Sequence, residues 1–215
     1  MWFPTLFCET ASKDAHPWVI DFEAKLIRGE ACFHAAEKLR SKGFQPDVIL
    51  AHPGWGESLF LKDVWPEARI GLYCELFYQT KELDSDFDPE FVPKNPTVGP
   101  LKTRIRNLNN HMHFNIAKAG LSPTRFQADT FPPSFRDEIT VGHDGVDTDH
   151  VIANAEAVLQ VSESQSLSRK DEVITFVNRN LEPYRGYHVF MRALPELLGK
   201  RHKAQIVLLG DDGTS

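Results

Sequence analysis

The stretch 173-VITFVNRNLEPYRGYHVFMRALPELL-198 decides how this chain is read. Its β-branched and aromatic run predicts a strand over 173–178, a proline-containing turn follows, and the residues from about 185 to 198 predict a helix. A second run, 204-AQIVLL-209, apolar but for Gln205, predicts the next strand. Strands of that kind joined through a helix belong to parallel sheets covered on both faces, the α/β class. In open parallel sheets ligands sit beyond the carboxyl ends of the strands, where Asn178 and Arg179 lie. Arg185 and Gly186 open the helix, whose first N–H groups are unpaired and carry about half a positive charge. Glycine admits close backbone approach, and arginine forks match phosphate oxygens in pairs. The turn therefore reads as a diphosphate cradle built from Arg179, Arg185 and Gly186. The alternative has both arginines solvated or paired with Glu182 and Glu196.

The same alternation runs upstream. Trp18, Phe22, Leu26, Ala31, Ala35 and Leu39 recur at helical spacing, predicting a long helix over 17–40. A buried strand is expected at 48–51, a short helix in 58-SLFLKDVW-65 and a second strand at 68–74, together a β-α-β unit. Residues 80–100 are acidic and proline-rich without period, a mobile surface loop or an acceptor-gating one. Helix is expected again over 101–119, then a short strand and a capped helix in 120-GLSPTRFQADTFPPSF-135, then strand into turn in 139-ITVGHDGVDTDHV-151. The polar, serine-rich residues 158–172 read as a linker.

Composition narrows the function. A net charge of −6 lacks the basic surface that nucleic acid or an anionic membrane requires, so no nucleic-acid partner is expected. No apolar run approaches the ~20 residues that span a bilayer, and 1-MWFPTLFCETASKDAHPW-18 lacks a signal peptide's pattern. Cys8, Cys32 and Cys74 are too few and too scattered for a disulfide framework or a zinc site, and read as reduced thiols of a cytoplasmic protein.

After the 48–51 strand, His52, Gly54, Trp55 and Glu57 form a glycine-opened loop in which Trp55 could stack on a sugar ring. His52 alone also fits a structural hydrogen-bonder. Glu75, at the next strand's carboxyl edge, fits a binder of sugar hydroxyls or a partner for a cation. His143 and Asp144 read as holding a turn. His111 and His113 point to different helix faces, and Asp84-Ser85-Asp86 sits in the acidic loop, so no metal is expected.

The opening stretch resembles the start of the nucleotide-sugar domain in family 4 glycosyltransferases, the retaining two-domain GT-B enzymes. Their pattern is strand, Gly-Arg-Leu, short loop, Lys-Gly, helix. Here Asn178 stands for the glycine, Arg185 for the lysine, and the loop is one residue longer, as in a bacterial subgroup with an ARNLEPYRG-like loop. Residues 47-DVILAHPGWGESLFLKDVWP-66 resemble the strand and glycine loop facing the acceptor cleft, and 119-AGLSPTRFQADTFPPSFRDEITVGHDGVDTD-149 resembles the end of that domain. The resemblance implies Rossmann-like sheets in a partial acceptor-side domain (1–157), a linker (158–172) and the first β-α-β of a donor domain (173–215). It implies transfer of a sugar from a nucleotide-diphosphate sugar to a glycan or lipid-linked acceptor with retention. Arg179 and Arg185 would be the catalytic cations; His52, Gly54, Trp55, Glu57 and Glu75 would face substrate; no cofactor beyond the donor is implied. The reaction would lie in the cytoplasm, with peripheral contact at the inner membrane face left open. Residues 1–16 do not supply the family's first unit, so the chain reads as an internal fragment, inactive alone and self-associating through exposed sheet edges. The alternatives are a non-catalytic remnant or interaction module, and a nucleotide-sugar epimerase of similar architecture.

Overall fold

A computed structural model describes residues 14–81, 83, 86–92 and 97–212. Cys8, Asp84 and Ser85 lie outside the described residues. The chain divides into two compact units, Met1–Phe87 with Val92–Asp144, and Asp88–Phe91 with Gly145–Ser215.

The first unit carries a parallel sheet of β1 (Val48–Ala51), β2 (Arg69–Tyr73), β3 (Ala117–Ser122) and β4 (Ile139–Val141), in that spatial order. The expected β-α-β is present, with α2 (Leu61–Val64) as its short crossover. Period-2 alternation puts Ile70 and Leu72 on one face, where they pack with Cys74, Ala128, Phe131, Phe135 and Ile139. On the same side Ile49 meets Ala36, Val64, Trp65 and Ala68 beneath α1 (Ile20–Ser41). Burial pushes the Cys74 thiol up to about 12, so it is inert packing.

Four expectations about this unit need correction. The strand at 48–51 is present but not buried: Val48 is 56% and Leu50 85% exposed. They alternate onto the opposite face of the sheet's edge strand, and Leu121 on β3 is likewise 45% exposed. Among the described residues the two core clusters sit on one face, so the sheet is not covered on both. Helix α1 keeps its period but not its phase: Lys25, Gly29 and Ala36 are buried while Leu39 is 47% exposed. Gly29 decides this, because a Cβ there would lie 2.9 Å from the Gly56 carbonyl oxygen; the helix turns its smallest residue to the loop it touches. The helix expected over 101–119 is instead α3 (Val98–Arg106), α4 (Leu108–Phe114) and the start of β3. Asn107 makes the break. It is buried, and its amide pairs with the Tyr78 backbone in both directions, at 3.0 and 2.8 Å. The capped helix appears as α5 (Arg125–Ala128), with Thr124 Oγ1 accepting from the Gln127 N–H, and α6 (Pro133–Arg136) leads into β4.

In the second unit, where the sequence reads a linker, β5 (Val158–Gln160) and β6 (Ser166–Ser168) form an antiparallel hairpin. Strand β7 (Val173–Asn180) runs parallel to β8 (Gln205–Asp211), joined through α7 (Tyr187–Lys200) as expected. Phe176 packs on Phe190 and Tyr187 at ring separations of 4.9 and 5.7 Å, fixing α7 to the sheet. Part of the acidic loop is ordered here: Pro89–Phe91 forms a 3-10 turn, Asp88 accepts from His188 at 3.1 Å, and Arg192 makes a two-point bridge to Glu90. None of the described helices is long and apolar enough to cross a membrane.

Candidate functional site

Three strands of the first unit deliver polar and aromatic side chains to its carboxyl edge. His52 follows β1 directly, Tyr73 ends β2 with Glu75 two residues on, and Asp144 lies just after β4. His52 Nδ1 accepts the Gly54 N–H at 3.1 Å, so the ring proton sits on Nε2, which donates to Glu75 Oε2 at 2.9 Å. That fold-back requires glycine at 54, since a Cβ would lie 2.7 Å from the imidazole. The imidazole stacks on Trp55 at 4.7 Å and 22°, with Tyr73 on its flank at 5.9 Å. The Tyr73 hydroxyl donates to both oxygens of Asp144, at 2.7 and 2.9 Å. That hydrogen bond, reinforced by desolvation and the charges of Asp144 and Glu75, pushes the phenol up to about 12. The result is a row of three rings flanked by two carboxylates of fixed orientation.

A buried layer holds the loop that carries His52 and Trp55. Asn109 on α4 donates to the Pro53 carbonyl at 2.6 Å and accepts from Lys25 at 3.3 Å. His113, fully buried, donates from Nδ1 to the Asn109 carbonyl at 2.6 Å and accepts from Ser58 Oγ at 2.8 Å. Burial lowers its pKa below 6.5 and keeps it neutral. Arg28 donates to the Trp55 carbonyl at 2.7 Å and pairs with Glu57 at 3.6 Å. Of the loop residues read from sequence, His52 is thus in direct contact with both Trp55 and Glu75, while Glu57 faces Arg28. His111, by contrast, packs edge-on to Phe77 at 5.3 Å, away from His113's partners. Beyond Glu75, a cavity of about 690 Å³ opens between Phe77, Phe126, Phe131 and Arg136.

Sequence reading missed Tyr73, Asn109 and Arg28, weighed His113 only as half of a poor metal pair, and took Asp144 only as a turn residue. One signal was available: Tyr73 and Glu75 share a parity at a strand's carboxyl end.

In the second unit, Arg179 is the exposed penultimate residue of β7. Arg185 lies on a 3-10 turn, Pro183–Arg185, and donates from Nε to the buried Glu182 at 3.0 Å. That bond raises Arg185's pKa above its ordinary value. Glu196 bonds Lys200 instead. Pairing with Glu182, one of the alternatives above, therefore holds for Arg185, and it fixes the guanidinium while reducing the net positive charge of the turn. Gly186 caps α7 in the left-handed region, φ 76°, and a Cβ there would meet nothing within 4 Å. The backbone is thus open to approach at the helix N-terminus.

A family model described as glycosyl transferase family 4 group matches residues 7–151. The match takes in His52, Trp55, Tyr73, Glu75 and Asp144, while Arg179, Arg185 and Gly186 follow it. No curated protein matches the chain.

Proposed function

The chain belongs to the glycosyl transferase family 4 group, and from that premise we propose that it serves transfer of a sugar from a nucleotide-diphosphate sugar to a glycan or lipid-linked acceptor with retention. The observation that carries the reading is the family match over a sheet whose carboxyl edge gathers His52, Trp55, Tyr73, Glu75 and Asp144.

In this reading the donor diphosphate lies against Arg179, Arg185 and the Gly186 end of α7. The bond between the anomeric carbon and the diphosphate oxygen breaks with its electron pair passing to the diphosphate. The acceptor oxygen forms the new bond on the same face, and its proton passes to the departing diphosphate. Arg179, Arg185 and the α7 N-terminus stabilise the growing negative charge, the part a divalent cation or cofactor would otherwise take. Removing one such contact costs on the order of 3 kcal/mol in the transition state. Glu182 locks Arg185 in place, so its guanidinium is held before the donor arrives. The aromatic cavity of about 690 Å³ suits the apolar part of a lipid-linked acceptor, and with such an acceptor the reaction lies at the cytoplasmic face of a membrane.

Titration of UDP- and GDP-sugars tests this. Arg179→Ala weakens binding about tenfold at low salt, and the difference shrinks as ionic strength rises. Arg185→Ala adds to it but strands the buried Glu182, so Arg179→Ala is the decisive variant. Equal affinity of wild type and Arg179→Ala for every nucleotide sugar overturns the donor site.

A further inference from the structure

We propose that 88-DPEF-91 is a detachable acidic clasp on α7, closed through His188 and Arg192 and opened by an anion that takes Arg192 from Glu90. The strap and α7 belong to the same compact unit, and the clasp is independent of the transferase reading.

The strap's own backbone sets out its carboxylates. Pro89 fixes the first residue of the 3-10 turn, the Glu90 N–H donates to Asp88 Oδ1 at 2.9 Å, and the Phe91 N–H donates to the Asp88 carbonyl at 3.0 Å. That leaves Asp88 Oδ2 for α7, where it accepts from His188 Nε2 at 3.1 Å. His188 and Arg192 are one helical turn apart and so share a face of α7. The Arg192 fork takes both oxygens of Glu90, and this hydrogen bonding holds the Glu90 carboxyl below its ordinary range. Phe91 completes the contact edge-on to the His188 ring, with centroids 4.8 Å apart. Asp88 also meets α7 in its first turn, the end that favours negative charge.

The closed state is held weakly. The Arg192 and Glu90 side chains are 62% and 45% exposed, so solvent and salt screen their attraction. His188 Nδ1 is buried without a hydrogen-bond partner among the described residues, on the ring that packs against Phe91. A buried polar atom left unpaired opposes the arrangement that holds it, and ordering the strap opposes it again. Open and closed states therefore lie close together. Arg192 is the point of attack, because a guanidinium that grips a carboxylate by two parallel donors offers the same fork to a pair of phosphate oxygens. An anion of higher charge than a single carboxylate displaces Glu90, and the strap leaves with it.

Hydrogen exchange of the full chain, read by mass spectrometry over residues 86–92, tests the clasp with inorganic pyrophosphate as the probe. Exchanging chloride for pyrophosphate at constant ionic strength speeds exchange at Glu90 and Phe91 about tenfold, and Glu90→Gln is already that fast without it. Glu196→Gln, which removes a carboxylate elsewhere on α7, leaves the strap slow. Circular dichroism checks that each variant is folded. Arg179→Ala separates the clasp from the donor site, since the pyrophosphate response persists in that variant. Exchange indifferent to both pyrophosphate and Glu90→Gln overturns the clasp, whether the strap is uniformly fast or uniformly slow. So does an equal opening by Glu196→Gln, which would assign the effect to net charge, or a pyrophosphate response abolished by Arg179→Ala.

Discussion

Gly54 matters because a methyl group at that position would touch the His52 imidazole rather than the backbone. A side-chain tip can rotate away, so Gly54→Ala should cost less than about 1 kcal/mol of stability. Its effect on the site should be larger, because the ring that moves is the one orienting Glu75 and supporting Trp55. We expect acceptor affinity to fall about tenfold with an almost unchanged melting temperature, and loss of the His52–Glu75 hydrogen bond visible in the imidazole NH resonance. A variant with native affinity and an unshifted resonance would show that the fold-back is incidental. Arg179→Ala makes the matching statement in the other unit, where an exposed cation should affect anion binding and leave folding alone.

Between elements, the contact that positions the His52–Glu57 loop is backbone on backbone. Gly56 has φ 97°, and a Cβ there would lie 2.4 Å from the Lys25 carbonyl oxygen on α1. Neither side can rotate away, so Gly56→Ala should destabilise the first unit by about 3 kcal/mol, measured by urea denaturation. A loss below about 1 kcal/mol would mean that α1 slides easily over the loop. Helix α4 holds the loop's other side through His113. Because its folded-state pKa lies below 6.5, the unfolded chain binds this proton more readily. Stability from neutral His113 is therefore complete above pH 6.5 and drains away as pH falls toward the lowered value. His113→Gln should flatten that part of the stability profile; identical slopes for both proteins would assign the acid sensitivity to other groups.

Across the molecule, the described residues leave apolar side chains on the sheet face away from the core. Val48, Leu50 and Leu121 are 56%, 85% and 45% exposed, and Val177 and Leu209 on the second unit's strands are 60% and 62% exposed. Apolar side chains exposed on strand faces favour association. Sedimentation of the 215-residue chain should therefore show concentration-dependent self-association, and Leu50→Lys should weaken it without unfolding the protein. A monomer at all concentrations would refute this.

Residues close together in the chain announced much of this architecture. Short apolar and β-branched runs and the 3.6-residue pattern, with glycine and proline punctuation, located β1 at its observed bounds, the β1–α2–β2 unit, the capped α5, and the β7–α7–β8 unit. They did so because hydrophobic periodicity is a local property that survives without knowledge of partners. The phase of α1, the break at Asn107, the Tyr73–Asp144 pair and the His113 network came from the folded chain. Each joins residues far apart, 71 positions in the case of Tyr73 and Asp144, and Gly29 against Gly56 is a steric fit between two backbones. No local pattern encodes such contacts: whether a polar group ends in a turn or in a hydrogen-bonded row depends on which strand the sheet sets beside it.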